Sequence, residues 1–331
     1  MQPSSEAAER PSDRAHSALA GPWADRVDEI LDGDHAVILA YVTPASGVVL
    51  APVSNFGLHD RANGIVTLNS SVGAWKKLDR IRRNPHVAVA FHTRAHASTE
   101  RPEYVLVQGR ASLQAPVLDY PSSVLEHWER LEPWRDLGPL WRRWLRIYAL
   151  RVEIRIAIER VIVWPDLACQ GTPEIEGAPL PTQAPVSQKP PAKGTSPRVD
   201  PTRLARRATR LPDVLLGWTG ADGFPLAVPV GVGAADADGV QLEAPDGTAP
   251  PGARRAGLTA HWFSRGVVGQ RQTICTGWME AEGGSVHYSP HTQAAYRMPT
   301  SRLVYRLVTG GFTRLRYRQA PAGAKGEPDM I

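Results

Sequence analysis

Short apolar blocks, separated by turn residues, run along the first half of the chain and predict β-strands. The blocks are HAVILAY (35–41), VVLAPVSNFG (48–57), IVTLN (65–69), HVAVAFH (86–92), YVLVQGRASL (104–113) and ALRVEIRIAIERVIVWP (149–165). The last block alternates apolar and polar residues with the period of two that is typical of a half-buried strand. Only short helical segments lie between the blocks. This spacing predicts an antiparallel barrel that is mostly β with short helices.

Proline and helix signals add further elements to this prediction. Pro52 lies inside a predicted strand, which is typical of an edge strand or a bulge. Residues 23–33 predict a short amphipathic helix with Trp23 and Val27 on its apolar side. Residues 119–146 predict two interrupted helices that carry four tryptophans. Such an aromatic face packs against a core or a partner subunit, or alternatively lines a ligand pocket.

The stretch from Thr67 to Pro85 carries the clearest candidate chemistry. Ser70 and Ser71 are good N-cap residues, and the backbone N–H groups that follow them attract an anion at the start of a helix. Lys76 and Lys77 lie one turn further on and add full charges to the same place. The pattern therefore predicts a phosphate site between two strands. The alternative is a surface helix whose lysines face water.

The second half of the chain repeats the pattern of the first. A segment rich in proline, from 167 to 201, predicts a linker. After it, DVLLGWTGADGFPLAVPV (213–230) resembles VILAYVTPASGVVLAPV, with Pro229 in the place of Pro52. Further along, Gly277 stands in the place of Gly109. These matches indicate an internal duplication.

The proposed domains follow from these boundaries. They are a disordered leader (1–22), a cofactor-binding domain (23–166), the linker (167–201), a second, degenerate copy (202–320) and a tail (321–331). One difference between the copies bears on function. The second copy has EAPDGTAPPG where the first has NSSVGAWKK, so its lysines are gone and prolines interrupt any helix. We expect the first copy to bind phosphate at this point and the second copy not to bind it.

Composition excludes some function classes and favours others. The formal charge is +5 and the pI is about 9.4, but the arginines are scattered and form no basic run with interleaved aromatics. We therefore expect an anionic small-molecule ligand and no nucleic acid. No apolar run approaches the ~20 residues of a membrane span, so no membrane association is expected. Two distant cysteines suggest neither a disulfide framework nor a metal site, and a cytoplasmic location is expected.

Four motifs in order resemble the split-barrel flavin-binding superfamily, which includes pyridoxamine 5′-phosphate oxidase and flavin or deazaflavin oxidoreductases. They are GVVLAPVSN, GIVTLNSS, WKKLDRIRRNPHVAVAF, and YVLVQG with the late strand RVIVWPD. The resemblance covers about residues 25–165, and a weaker, degenerate repeat of the same pattern covers 203–320. It implies a split β-barrel, here duplicated in tandem.

The resemblance also implies a cofactor, FMN or alternatively the deazaflavin F-420, and a set of residues that bind it. That set is Val53, Ser54, Asn55, Thr67, Asn69, Ser70, Ser71, Lys76, Lys77 and Tyr104. In the family, hydroxyl and basic residues hold the cofactor phosphate, and the second strand follows the ring. Trp75 departs from the family pattern, because a serine is common there. No residues for vitamin B6 chemistry are visible near the end of the chain.

Two function classes follow from the resemblance. The first is an oxidoreductase that moves a hydride to or from a small organic substrate. The second is a non-catalytic flavin- or haem-binding module, or an interaction scaffold on the same fold; His92, His261 and His291 are candidate haem ligands. His92 and His96 lack a third ligand, so no metal site is expected. Residues 288–299 are expected to form a proline-ordered loop. Family members are typically dimers, so a homodimer or an intrachain pseudo-dimer is expected.

Overall fold

A computed structural model describes residues 23–117, 120–131, 138–267 and 269–320 of the 331-residue chain. The proposed leader and tail and Trp134 lie outside the described residues. None of the described helices is both long enough and apolar enough to cross a bilayer. The structure confirms the predicted class, because most described elements are strands and they form two antiparallel sheets.

The first sheet and its helices are built from residues 25–177. The strands are β1 (Ala36–Val42), β2 (Val48–Ser54), β3 (His59–Asp60), β4 (Ile65–Ser71), β5 (His86–Phe91), β6 (Tyr104–Leu113), β7 (Arg151–Trp164) and β8 (Glu174–Gly177). The helices are α1 (Asp25–Gly33), α2 (Trp75–Arg83), α3 (Tyr120–Ser123), α4 (Leu125–Leu131) and α5 (Pro139–Ala149).

The second sheet and its helices follow from residue 201. The strands are β9 (Asp213–Thr219), β10 (Pro225–Pro229), β11 (Gly231–Ala235), β12 (Val240–Glu243), β13 (Gly252–Phe263), β14 (Gln270–Glu282) and β15 (Ser285–Met298). The helices are α6 (Pro201–Ala208) and α7 (Arg302–Gln319). Between β12 and β13 the chain forms turns, whereas α2 occupies the equivalent place in the first half.

The two sheets have the same strand order. The first runs β2-β1-β5-β6-β7-β4-β3, and the second runs β10-β9-β13-β14-β15-β12-β11. Each strand of the second sheet therefore has a counterpart in the first, in the order that the repeated sequence blocks predict. Pro52 and Pro229 both lie on edge strands, β2 and β10, where a missing N–H costs no ladder hydrogen bond.

A matching bulge strengthens this correspondence. The β6–β7 register shifts between Gln108 and Gly109, and the β14–β15 register shifts between Thr276 and Gly277. A Cβ on Gly109 would lie 2.2 Å from the Ala157 carbonyl oxygen, and a Cβ on Gly277 would lie 2.2 Å from that of Ser289. Both bulges thus bring backbone so close that only glycine fits.

The halves pack on one another reciprocally. Edge strand β2 contacts β9, β13 and β14 of the second sheet. Its counterpart β10 contacts β1, β5 and β6, which are the counterparts of those three strands. Such reciprocity is the signature of a two-fold interface between identical subunits. Here it is formed within one chain.

Three segments differ from the sequence-based expectation. Residues 288–299 are not a loop but most of β15, because Pro290 falls at the bulge and leaves the ladder intact. Part of the expected linker, β8, pairs with β7. No helix was predicted over α7, in which Gly310 is the point where the side chain of Trp144 on α5 packs against the helix.

Candidate functional site

A cavity of about 1080 Å³ opens between the two halves of the chain. The first half lines it with β2, the end of β4 and the start of α2. The second half lines it with β14, β15 and α7, and the segment before α6 adds Pro191 and Arg198. The second half therefore completes the walls of a cavity that the first half begins.

Seven of the ten sequence-predicted residues line this cavity. They are Val53, Ser54, Asn69, Ser70, Ser71, Lys76 and Lys77. Local structure explains their convergence. Ser71 ends β4, and its hydroxyl accepts a hydrogen bond from the backbone N–H of Gly73 at 3.2 Å, which starts a short 3-10 turn. That turn leads directly into α2, and both of its lysines line the cavity together with Val53 and Ser54 of β2.

The other three predicted residues lie outside the cavity lining. The Asn55 side chain is buried and donates to the carbonyl oxygens of Leu31 (2.7 Å) and Asp34 (2.9 Å). Thr67 donates its backbone N–H to the carbonyl oxygen of Leu58, just before β3, at 2.8 Å. The buried Tyr104 hydroxyl donates to the carbonyl oxygen of Ala227 at 2.6 Å and ties the halves together. The structure thus gives Asn55 and Tyr104 packing roles.

The charged residues of the cavity lining are all basic. Among the described residues, seven lysines or arginines and no aspartate or glutamate line it: Lys76, Lys77, Arg80, Arg151, Arg198, Arg255 and Arg316. Three of them come from the second half or the segment that leads to it. Such a wall repels cations and attracts an anion, because like charges gathered around a concave surface reinforce one potential.

The Lys77 ammonium group is a charge that burial disfavours. Burial and, to a lesser degree, the Arg151 guanidinium lower the pKa of Lys77 to about 8. No described residue provides a hydrogen-bond acceptor for its ammonium group. An anion in the cavity would supply both the missing acceptor and the missing countercharge.

Aromatic rings hold Arg151 at the cavity wall. Its guanidinium lies 4.1 Å from the centre of the Tyr148 ring and 5.5 Å from that of Trp128. Trp128 in turn packs against Phe56, with ring centres 4.9 Å apart. The two alternatives for the tryptophan-rich segment meet in Trp128, which is buried in a small core and also lines the cavity.

Trp75 and Arg80 add to the first-half wall. Trp75, the departure from the family pattern, lines the cavity, and the Lys76 ammonium lies 5.4 Å from its ring centre. The Arg80 side chain forms a hydrogen bond with the Tyr41 hydroxyl. Burial raises the pKa of Tyr41, and this effect outweighs the lowering by the Arg80 charge and hydrogen bond. Arg83 lies outside the lining and pairs with Asp79 at 3.2 Å.

Sequence reasoning missed the second-half wall. On β14 and β15, Ile274, Thr276, Gln293 and Tyr296 line the cavity. Helix α7 contributes Tyr305, Thr309, Phe312 and Thr313. The signal was present in α7, because its threonines recur at i and i+4 among apolar residues. Its polar face is buried toward the cavity, while Leu303 and Leu307 on the other side are exposed.

The chain was compared with known proteins. No protein-family model and no curated protein matches it. Solved structures similar to it include a putative pyridoxamine 5′-phosphate oxidase from Listeria innocua (19% identity, 42% of this chain and 95% of that one, TM-score 0.30). Others are a FAD-binding protein from Mesorhizobium loti (22%, 42% and 91%, 0.28) and a conserved hypothetical protein from Mycobacterium tuberculosis (16%, 49% and 96%, 0.30). Each aligned stretch covers less than half of this chain.

Proposed function

We propose that the cavity binds a flavin-type cofactor through its phosphate, with FMN as the first candidate and the deazaflavin F-420 as the second. We further propose that the chain is an oxidoreductase acting on a small organic substrate. The observation that carries the proposal is the all-basic charged lining around Lys77, an ammonium group without an acceptor. A bound flavin would supply two-electron hydride chemistry, which side chains alone do not provide.

The first-half wall fits the phosphate. Ser70 and Ser71 offer hydroxyl groups, and Gly73 and Ala74 of the 3-10 turn after β4 line the same wall of the cavity. Lys76 and Lys77 add two charges that a dianion would neutralise. Hydrogen bonds that involve an ionised partner contribute about 1.5–3 kcal/mol each, so this cluster is sufficient to select a phosphorylated ligand over its unphosphorylated form.

The strand wall fits a planar ring. In the described sheet β2 pairs only with β1, so the backbone groups on its other edge have no ladder partner. Val49 and Val53 on this strand line the cavity, and so do Ile274 and Tyr296 of the second half. An apolar slot beside free backbone groups suits a heteroaromatic ring with a polar edge. The volume is at the upper end of the ~300–1,000 Å³ typical of ligand pockets, which leaves room for a substrate beside the ring.

The phosphate is tested by comparing FMN with riboflavin, which has the same ring and no phosphate. We expect the wild-type chain to bind FMN at least ~10-fold more tightly, because one charged hydrogen bond is worth more than 1.4 kcal/mol. Lys76→Ala combined with Lys77→Ala should remove this preference. Arg82→Ala is the matched control, since Arg82 is exposed on the same helix and outside the lining. Equal binding of the two ligands by wild type would reject the phosphate site.

Catalysis is tested separately from binding. The oxidoreductase proposal expects the loaded protein to oxidise or reduce nicotinamide or deazaflavin cofactors when a suitable substrate is present. A non-catalytic flavin- or haem-binding module would retain its bound cofactor and would neither oxidise nor reduce nicotinamide or deazaflavin cofactors. Of the three candidate haem ligands, only His291 lines the cavity, and its Nε2 lies 3.0 Å from the carbonyl oxygen of Thr195. The haem alternative therefore rests on a histidine that already has a partner.

A further inference from the structure

Two buried histidines meet at the contact between the halves, away from the cavity. His92 follows β5 of the first sheet, and His261 lies on β13 of the second. Their Nε2 atoms are 2.7 Å apart, although the residues are separated by 169 positions in sequence. Asp213, at the start of β9, places a carboxylate oxygen 3.9 Å from His261 Nδ1. Neither histidine lines the cavity described above.

The protons of this cluster do not satisfy its lone pairs. His92 Nδ1 lies 3.1 Å from the carbonyl oxygen of Ala90, so it carries the ring proton and leaves a lone pair on Nε2. If His261 is protonated on Nδ1, two Nε2 lone pairs face each other at 2.7 Å. If it is protonated on Nε2, it donates to His92 Nε2, but its Nδ1 then has no donor and lies 3.9 Å from the Asp213 carboxylate oxygen. Either tautomer therefore leaves at least one buried imidazole nitrogen without a donor.

Burial makes this shortfall costly. Both histidine side chains are buried, and His261 Nδ1 has no hydrogen-bond partner among the described residues. A buried polar atom without a partner costs free energy, because it has lost its contact with water and gained none in the protein. A bound cation would satisfy the nitrogen lone pairs that the protein leaves open.

We propose that His92, His261 and Asp213 bind a divalent transition-metal ion of the zinc class and thereby join the two halves of the chain. Each residue offers one ligand atom, and the three atoms lie within 4.8 Å of one another. Two imidazoles and a carboxylate form a ligand set that suits zinc, with a fourth position for water. The His92 Nδ1–H bond to a backbone carbonyl is the outer contact that metal-bound histidines usually make.

The side chains must adjust to accept the ion. Tetrahedral zinc with Zn–N bonds of about 2.05 Å places its ligand atoms about 3.3 Å apart. The two Nε2 atoms must therefore separate by about 0.6 Å, and the Asp213 carboxylate oxygen, which lies within 4.8 Å of the other ligand atoms, must approach by up to about 1.5 Å. Asp34 does not compete for the ion, since its carboxylate is bonded to the Arg94 guanidinium at 2.9 Å and to the backbone N–H of Thr93 at 3.2 Å.

The experiment uses untagged, full-length protein freed of metal by a chelator and then titrated with zinc or cobalt alone. We expect one equivalent per chain with a Kd in the micromolar range or tighter, a rise in Tm, and the visible absorption of four-coordinate cobalt. His92→Gln and His261→Gln should each weaken zinc binding at least ~10-fold. His96→Asn is the matched control, because His96 is exposed and has a φ of 70°, which asparagine tolerates.

Wild-type protein alone decides the proposal if the variants fail to fold. No zinc binding below about 100 μM and a cobalt spectrum identical to that of the aqueous ion would overturn it, and the histidines would then be a hydrogen-bonded pair. Equal loss of zinc binding in His96→Asn would also overturn it. FMN binding is independent of this result, because no cavity residue contributes to the cluster.

Discussion

Replacing Lys77 separates two effects of the proposed phosphate site: its cost to the folding stability of the ligand-free protein and its contribution to FMN binding. In the free protein its pKa is about 8 instead of 10.5, because burial penalises the charged form. At about 1.4 kcal/mol per pKa unit, the folded chain loses up to about 3.5 kcal/mol by holding this charge. Water in the open cavity makes that value a ceiling. Lys77→Met removes the charge and keeps an apolar stem, so we expect the ligand-free protein to become more stable.

The sign of the pH dependence follows from the same shift. The penalty is complete below pH 8, where Lys77 is charged in both the folded and the unfolded chain, and it disappears as the pH rises toward 10.5. The extra stability of Lys77→Met should therefore be largest near neutral pH and should fade in alkaline buffer. Thermal unfolding of both proteins from pH 6 to 10 measures this difference.

Anion binding should change in the opposite direction. Between pH 7 and 9 the charged fraction of Lys77 falls from about 0.9 to about 0.1, so wild-type affinity for FMN should fall roughly tenfold. Lys77→Met should bind FMN about 10- to 100-fold more weakly at pH 7. Lys77→Arg keeps its charge throughout and should show little pH dependence. A Lys77→Met protein that is less stable than wild type, or that binds FMN equally well, would refute this reasoning.

Three further substitutions test the surroundings of the cavity. Tyr104→Phe leaves the buried carbonyl oxygen of Ala227 without its donor and should cost about 1–3 kcal/mol in denaturant unfolding, with no change in FMN affinity. Ile274→Trp should block FMN binding from the second-half wall without altering either lysine, as titration would detect. Gly310→Val should destabilise the α5–α7 packing and lower Tm, because its Cβ would lie about 2.2 Å from Trp144 Nε1; an unchanged Tm would show that the helix moves freely.

Much of the fold was predictable because its signals are local. The short apolar blocks became strands, and Pro52 and Pro229 marked edges because a missing N–H is tolerated there. Gly109 and Gly277 marked matching bulges, since backbone approaches both too closely for a side chain. Such features are encoded within a few residues, so the repeat in sequence was enough to predict the repeat in topology.

The first-half wall of the cavity was predictable for the same reason. Ser71, Lys76 and Lys77 lie within seven consecutive residues that end a strand and start a helix, so chain geometry alone gathers them. Asn55 and Tyr104 were assigned to the site by resemblance, and both instead have buried partners elsewhere. A side chain's distant hydrogen-bond partner leaves no trace in local sequence.

The rest of the cavity depends on how the halves pack. Ile274, Tyr296 and Arg316 reach it only because β2 lies on the second sheet and α7 returns to the start of α2. His92 and His261 are brought together by the same packing. The sequence pattern placed some of these residues on the correct element, as with Ile274 on β14. Pairings across more than 160 positions, such as that of His92 with His261, are set by tertiary contacts alone.

The central claim is that one chain holds one phosphate-selective cofactor cavity between its two halves. Native mass spectrometry of the full-length protein with FMN, F-420 or riboflavin measures this most directly. The account predicts one FMN or F-420 per chain, no retained riboflavin, and loss of the adduct in the Lys76→Ala, Lys77→Ala protein. Retention of two cofactors per chain, equal retention of riboflavin, or no adduct with either phosphorylated cofactor would contradict it.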